Sequence, residues 1–129
     1  MEGYSVTIVE SSKELTAKEK IALKDYSNAT PLDTALDDVD VLTISPMAYV
    51  KLAVHNEKSK QDKDYTKYII LDTAGNKFVT GSESFFTSFL DIFKTMQEEA
   101  PNEEYSIDVL KKPSQNYKGK SFITCALAL

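Results

Sequence analysis

The chain contains no arginine and no tryptophan, and it has a single cysteine and a single histidine. Each shortage closes something off. Cys125 alone cannot form an internal disulfide, which favours a reducing, intracellular setting. His55 alone excludes metal centres built on several imidazoles. All 15 basic residues are lysines, and bidentate reading of guanine is chiefly arginine's work, so sequence-specific duplex recognition is disfavoured. No apolar run approaches the ~20 residues that span a bilayer. The opening "MEGYSVTIVE" has neither a basic n-region nor a signal core, so a cytoplasmic protein without membrane contact is expected. Neither "GxxxxGK[ST]" nor "GxGxxG" occurs. Cys125 stands among small alternating apolar residues and reads as a buried hydrophobe. The expectation is a protein that is not an enzyme and takes no cofactor and no metal ion.

What is present is ordinary for a soluble globular chain. It has 129 residues, 42% hydrophobic and 27% charged, which fits one domain with its own core. The formal charge is −5. A negative sum is a weak argument against nucleic acid, because binding depends on the local field in a groove.

"YSVTIVE" alternates and predicts a strand over Tyr4–Glu10. "SSKELTAKEKIALKDY" predicts a helix, with Ser11/Glu14 and Thr16/Glu19 as two possible capping boxes. "SNATPLDTALDDVD" reads as a linking segment; it lacks the glycine and distal glutamate of a calcium loop. From Val41 the pattern turns to strands. "VLTISPMAYVKLAVHN" breaks at Pro46, after which Ala48, Val50, Leu52 and Val54 point one way and Tyr49, Lys51, Ala53 and His55 the other. "YTKYIILDTAGNKFVTG" is a hairpin. "SESFFTSFLDIFKTMQEE" is an amphipathic helix with Phe85, Phe89, Ile92, Phe93 and Met96 on one stripe, closed by Pro101. "YSIDVLKK" and "KSFITCALAL" are two further strands.

Three strands, a helix and two strands form the order of the OB-fold, a mainly-β, five-stranded, partly open barrel with its helix between strands three and four. The expected architecture is one domain over 1–129: a strand–helix extension over 1–40 packed on a barrel over 41–129. In that fold the face of strands two and three, with the loops joining strands one to two and four to five, grips oligonucleotides. Both loops are rich in lysine. "NEKSKQDKD" carries Lys58, Lys60 and Lys63, and "KKPSQNYKGK" carries Lys111, Lys112, Lys118 and Lys120 around Tyr117. Between them, Tyr49 and Lys51 with His55, and Tyr65 with Lys67, are expected along one groove, Tyr68 facing the opposite way. Cations that follow phosphates and rings that stack on bases are what single-strand binding requires. The plainer reading is available for each: loop lysines as solvated surface, Tyr65 and Phe78 as ordinary sheet residues, and the phenylalanines of the helix as its packing face.

Taken together, "SKELTAKEKIALKD", "LAVHNEKSKQDKDY", "KFVTGSESFFTSFLDIF" and "KKPSQNYKGKSFITC" resemble the small single-stranded-DNA-binding proteins of phages and mobile elements of Gram-positive bacteria. The resemblance runs over nearly the whole chain. It implies an OB-fold, single-stranded DNA bound with little regard to sequence, and a role in replication or recombination in a bacterial host cell, alongside proteins of those processes. Weaker binding of RNA or duplex DNA would accompany it. Carried over are Lys58, Lys60, Lys63, Lys111, Lys112, Tyr117, Lys118 and Lys120; Tyr49, Lys51, Tyr65 and Lys67 rest on alternation alone. Cellular single-strand binders end in an acidic tail that recruits enzymes, whereas this chain ends "ITCALAL". That apolar strand is a candidate interface for a homodimer or higher oligomer. A second reading belongs to another class: an acidic phage protein that blocks a host DNA-handling or defence factor, its −5 charge and the aspartates around Asp37, Asp38 and Asp40 presenting DNA-like charge.

Overall fold

The computed structural model describes residues 3–58, 62–113 and 121–128. Their elements, in chain order, are β1 (Tyr4–Ser11), α1 (Ala17–Lys24), a 3-10 turn (Tyr26–Asn28), β2 (Thr30–Pro31), α2 (Leu32–Asp38), β3 (Val41–Ile44), β4 (Pro46–Asn56), β5 (Asp64–Asp72), β6 (Lys77–Thr80), α3 (Glu83–Glu99), β7 (Ile107–Pro113) and β8 (Ser121–Leu127). The class is mainly β. Five strands form one sheet in the order β1-β4-β5-β6-β2, and three form a second in the order β3-β7-β8. Among the described residues no pairing joins β6 to β8, so the two sheets do not close into a barrel. No described helix is long and apolar enough to cross a membrane.

Pro46 explains why one apolar run becomes two strands in two sheets. Its ring fixes φ and removes a backbone donor. The ladder slips between Pro46 and Ala48, and the chain turns from β7's partner into β5's partner. The hydroxyls of Ser45 and Ser106 meet at 2.7 Å, and the Thr73 N–H donates to the Ser45 carbonyl at 3.0 Å, pinning that corner.

The N-terminal segment enters the large sheet itself. β1 lies antiparallel along β4, from Tyr4 opposite Asn56 to Ser11 opposite Val50, and β2 adds to β6. Of the two capping boxes the sequence offers, the second forms. Thr16 Oγ1 accepts from the Glu19 N–H at 3.2 Å, and the Glu19 carboxylate accepts from the Thr16 N–H at 3.0 Å. That N–H and the Lys13 ammonium hold the Glu19 carboxyl down to about 2. Ser11 is spent inside β1, so α1 is shorter than expected. The segment read as a linker contains α2 instead. Leu32, fully buried, and Leu36 one turn later give this short helix an apolar side that packs into the core.

The large sheet is covered on both faces. On one side Val50, Leu52, Ile69 and Val79 pack under Leu23 of α1 and Ala29. On the other, α3 lays Phe85, Phe86, Phe89 and Phe93 over Tyr49, Tyr68 and Ile70 and reaches the small sheet at Ile107, Val109 and Ile123. Ser82 caps α3 by accepting from the Phe85 N–H at 3.2 Å. Its four-residue phenylalanine spacing then keeps the rings on one stripe. Phe86 stacks on Tyr68 with centroids 4.0 Å apart. The β5–β6 hairpin turns where "TAGN" predicted. The Asp72 carboxylate accepts from the N–H groups of Ala74 and Asn76 at 3.0 and 2.7 Å, and Gly75 takes φ +90°, a conformation L side chains rarely adopt.

Candidate functional site

Register decides which of the expected residues can meet. Residues paired across an antiparallel ladder share a face. Leu52 opposes Lys67 and Val54 opposes Tyr65, while Lys51 opposes Tyr68. Tyr65 and Lys67 therefore lie on the α1 side of the sheet, and Tyr49, Lys51 and His55 lie on the other. The single groove expected to gather Tyr49, Lys51, Tyr65 and Lys67 does not exist, because the sheet itself stands between the two sets.

Tyr49 is corrected further. It is only 4% exposed, with its ring edge-on to Phe86, Phe89 and Phe93 at 5.3, 6.0 and 5.4 Å. Its hydroxyl donates to Glu10 Oε1 at 2.9 Å, and burial first, then that bond, pushes the phenol up to about 12. Alternation separated the two faces of β4 correctly, but α3 covers the second face at this end of the strand. Tyr49 is a core residue and is not available to stack on a base. Tyr68, on the same face as Tyr49, is likewise buried under Phe86 of α3. Lys51 is half-buried on the Tyr68 face.

On the α1 side a different group assembles. Lys67 Nζ lies 5.7 Å from the centre of the Tyr65 ring. Tyr65 is half-buried, and its hydroxyl lies beside that of Tyr26, as does the hydroxyl of Tyr4. Burial and these two neighbours push the Tyr26 phenol up. β1 brings Tyr4 there by pairing with the end of β4, and the 3-10 turn brings Tyr26. A groove of about 500 Å³ opens beside them, lined by Tyr4, Val6, Ile21, Lys24 and Tyr26 among others. Sequence reading missed Tyr4 and Tyr26. The available signal was the Tyr4–Val6–Ile8 alternation, which faces Tyr4 toward whatever covers the sheet.

The lysine-rich ends are placed in part. Lys58 is exposed, with its N–H on Asn56 Oδ1 at 3.0 Å. Lys63 Nζ reaches Glu57 Oε2 at 3.2 Å, and the Lys63 carbonyl accepts from the Asn56 N–H at 2.7 Å. Lys111 and Lys112 lie on β7, Lys112 exposed and Lys111 with its Nζ 3.7 Å from Asp33 on α2. Lys60, Tyr117, Lys118 and Lys120 lie outside the described residues.

At the end of β4 the only histidine is held on both sides. His55 Nδ1 is 2.6 Å from Asp64 Oδ1, and Nε2 is 2.6 Å from Glu57 Oε1. The two nitrogens point at two different carboxylates, so the three groups do not converge on one point as metal ligands would. No group of three or more such ligands suited to a metal occurs among the described residues. Cys125 is buried, and burial pushes its thiol up to about 11, away from nucleophilic use at neutral pH. No protein-family model, no curated protein and no solved structure matches this chain.

Proposed function

We propose that this chain binds single-stranded DNA through backbone charge and base stacking, on an incompletely closed barrel of the OB type. The pairing order supports the reading. Taken through the corner at Ser45, the strands run β6-β5-β4/β3-β7-β8, with α3 between the third and fourth of the five from Val41 onward. An OB-type barrel would carry five strands in this succession and add a closing pair. The observation that carries the proposal is what α1 leaves within reach of solvent. α1 and Ala29 bury the middle of the β4–β5–β6 face that such folds use, and Tyr65 and Lys67 stand half-buried at its end. That end adjoins the connection bearing Lys58 and Lys63. A ring and cations at the rim of a sheet suit unpaired bases and their phosphates. Tyr117, outside the described residues, enters the proposal through the resemblance of "KKPSQNYKGKSFITC" to phage single-strand binders.

Fluorescence anisotropy of labelled oligo-dT at low salt tests this. Binding is expected, displaced by unlabelled single strands more readily than by duplex DNA or RNA. Tyr117→Ala should weaken it by about 1–3 kcal/mol, the range for one lost base–aromatic stack, with the melting curve unchanged. No binding by the parent, with one stoichiometric host protein recovered from nuclease-treated lysate, would transfer the assignment to the acidic inhibitor, for which α2 exposes Asp37 and Asp38.

A further inference from the structure

The β4–β5 end carries a device that the binding reading does not by itself require. His55 offers one nitrogen to Asp64 and the other to Glu57, each at 2.6 Å. Both partners are carboxylates, which when ionised can only accept. A neutral imidazole has one N–H and can satisfy one of them, leaving its lone pair against the other. Both contacts stand together only when the ring is the doubly protonated imidazolium. Among the described residues, the groups facing the ring are few. β5 contributes Asp64 and Thr66, and β1 contributes Ser5 and Thr7, neither charged. Its own strand end contributes Glu57, which also holds Lys63 Nζ at 3.2 Å. Lys51 stands two pairs further along the same face of β4.

These contacts close the end of the hairpin. Asp64 is the first residue of β5, and Glu57 follows the last residue of β4. The Glu57 N–H in turn donates to the Gly3 carbonyl at 2.6 Å, tying in the start of β1. We propose that His55 is a positioning residue for this cationic end: as imidazolium it clasps Glu57 and Asp64 beside Lys58 and Lys63, and on losing its proton it lets one carboxylate go. The inference rests on the single-strand reading for its consequence, but not for its chemistry. With the clasp closed, His55 and Lys63 balance Glu57 and Asp64. Once the ring is neutral, these four groups carry one net negative charge beside Lys58, and affinity for a polyanion falls.

The sign of the pH effect follows from the partners. Asp64 first and Glu57 second raise the imidazole above its ordinary 6.5, while the imidazolium and Lys63 lower the Glu57 carboxyl. The clasp is therefore complete below 6.5 and opens as pH rises through the folded-state value above it.

The test has two arms on the full-length protein. In the first, the His55 ring protons are titrated by NMR. A midpoint above 6.5 is expected, lowered by Asp64→Asn and by Glu57→Gln separately; a midpoint at or below 6.5, or one that neither variant moves, overturns the clasp. In the second, oligo-dT affinity is followed across the same range. A fall of roughly two- to fivefold centred on the His55 midpoint is expected for the parent, the range for one exposed charge pair, with a flat profile for His55→Gln. Parallel profiles for the two proteins overturn the positioning role even if the ring titrates as expected. If oligo-dT does not bind at any pH, the functional reading and the positioning role fall together, and the ring titration still decides the clasp.

Discussion

Phe89→Ala is expected to remove about 3–5 kcal/mol of folding stability, a large share of the roughly 5–15 kcal/mol a domain of this size has. The ring is fully buried. It meets Tyr49 edge-on at 6.0 Å, runs alongside Phe85 and Phe86 at 6.1 Å each, and tilts against Phe93 at 5.4 Å. Truncation removes all four ring contacts at once. The cavity cannot collapse easily, because Tyr49 is anchored through its hydroxyl to Glu10 and the remaining rings are fixed on one helix. α3 also touches both sheets, so the loss loosens their junction. Urea denaturation with matched slopes measures it. Ile21→Ala is the control: Ile21 is 73% exposed, and its loss should change stability by no more than about 0.5 kcal/mol. Equal effects at the two positions would show that α3 does not form the core described here.

Replacing Lys111, Lys112, Lys118 and Lys120 together by glutamine is expected to cost on the order of a thousandfold in oligo-dT affinity at about 50 mM salt. Each lysine on a phosphate releases counterions, contributing about 0.7 to the slope of log affinity against log salt for single strands. Four such contacts lower the slope by about 3 and give that factor at low salt. Lys111 gives up less than the others, since Asp33 at 3.7 Å already neutralises part of its charge. The loss should shrink toward nothing as salt is raised. A loss independent of salt would mean that the variant had lost shape rather than charge, and an unchanged affinity would move the interface away from this hairpin.

These two results bear on features of very different legibility. α3 and the β5–β6 hairpin were readable because their signals are local: a four-residue phenylalanine spacing behind Ser82, and the turn residues at "TAGN". Tyr49 was misread because alternation assigns a residue to a face but does not say what covers it. The cover, α3, comes more than thirty positions later. The same limit hid the meeting of Tyr4, Tyr26 and Tyr65, which depends on β1 pairing with β4 across the intervening helices. α2 left a trace, Leu32 and Leu36 one turn apart after Pro31, but the aspartates around them favoured a solvated linker. The break at Pro46 was visible as a break; that it carries the chain from one sheet to the other is a property of its partners. The lysines were found as charge, but their ion pairs with Glu57 and Asp33 join distant parts of the chain or depend on the turn between β4 and β5. His55 was read only as a member of the groove face; its contact with Asp64 depends on the pairing of β4 with β5.

The central claim is that phosphates and bases of an unpaired strand are held by this chain's lysines and rings. It is tested most directly by titrating labelled oligo-dT into the parent protein across a salt series. About five phosphate contacts predict saturable binding whose log affinity falls with log salt at a slope of about −3 to −4. Absence of saturable binding at the lowest salt, or an affinity indifferent to salt, would contradict the account.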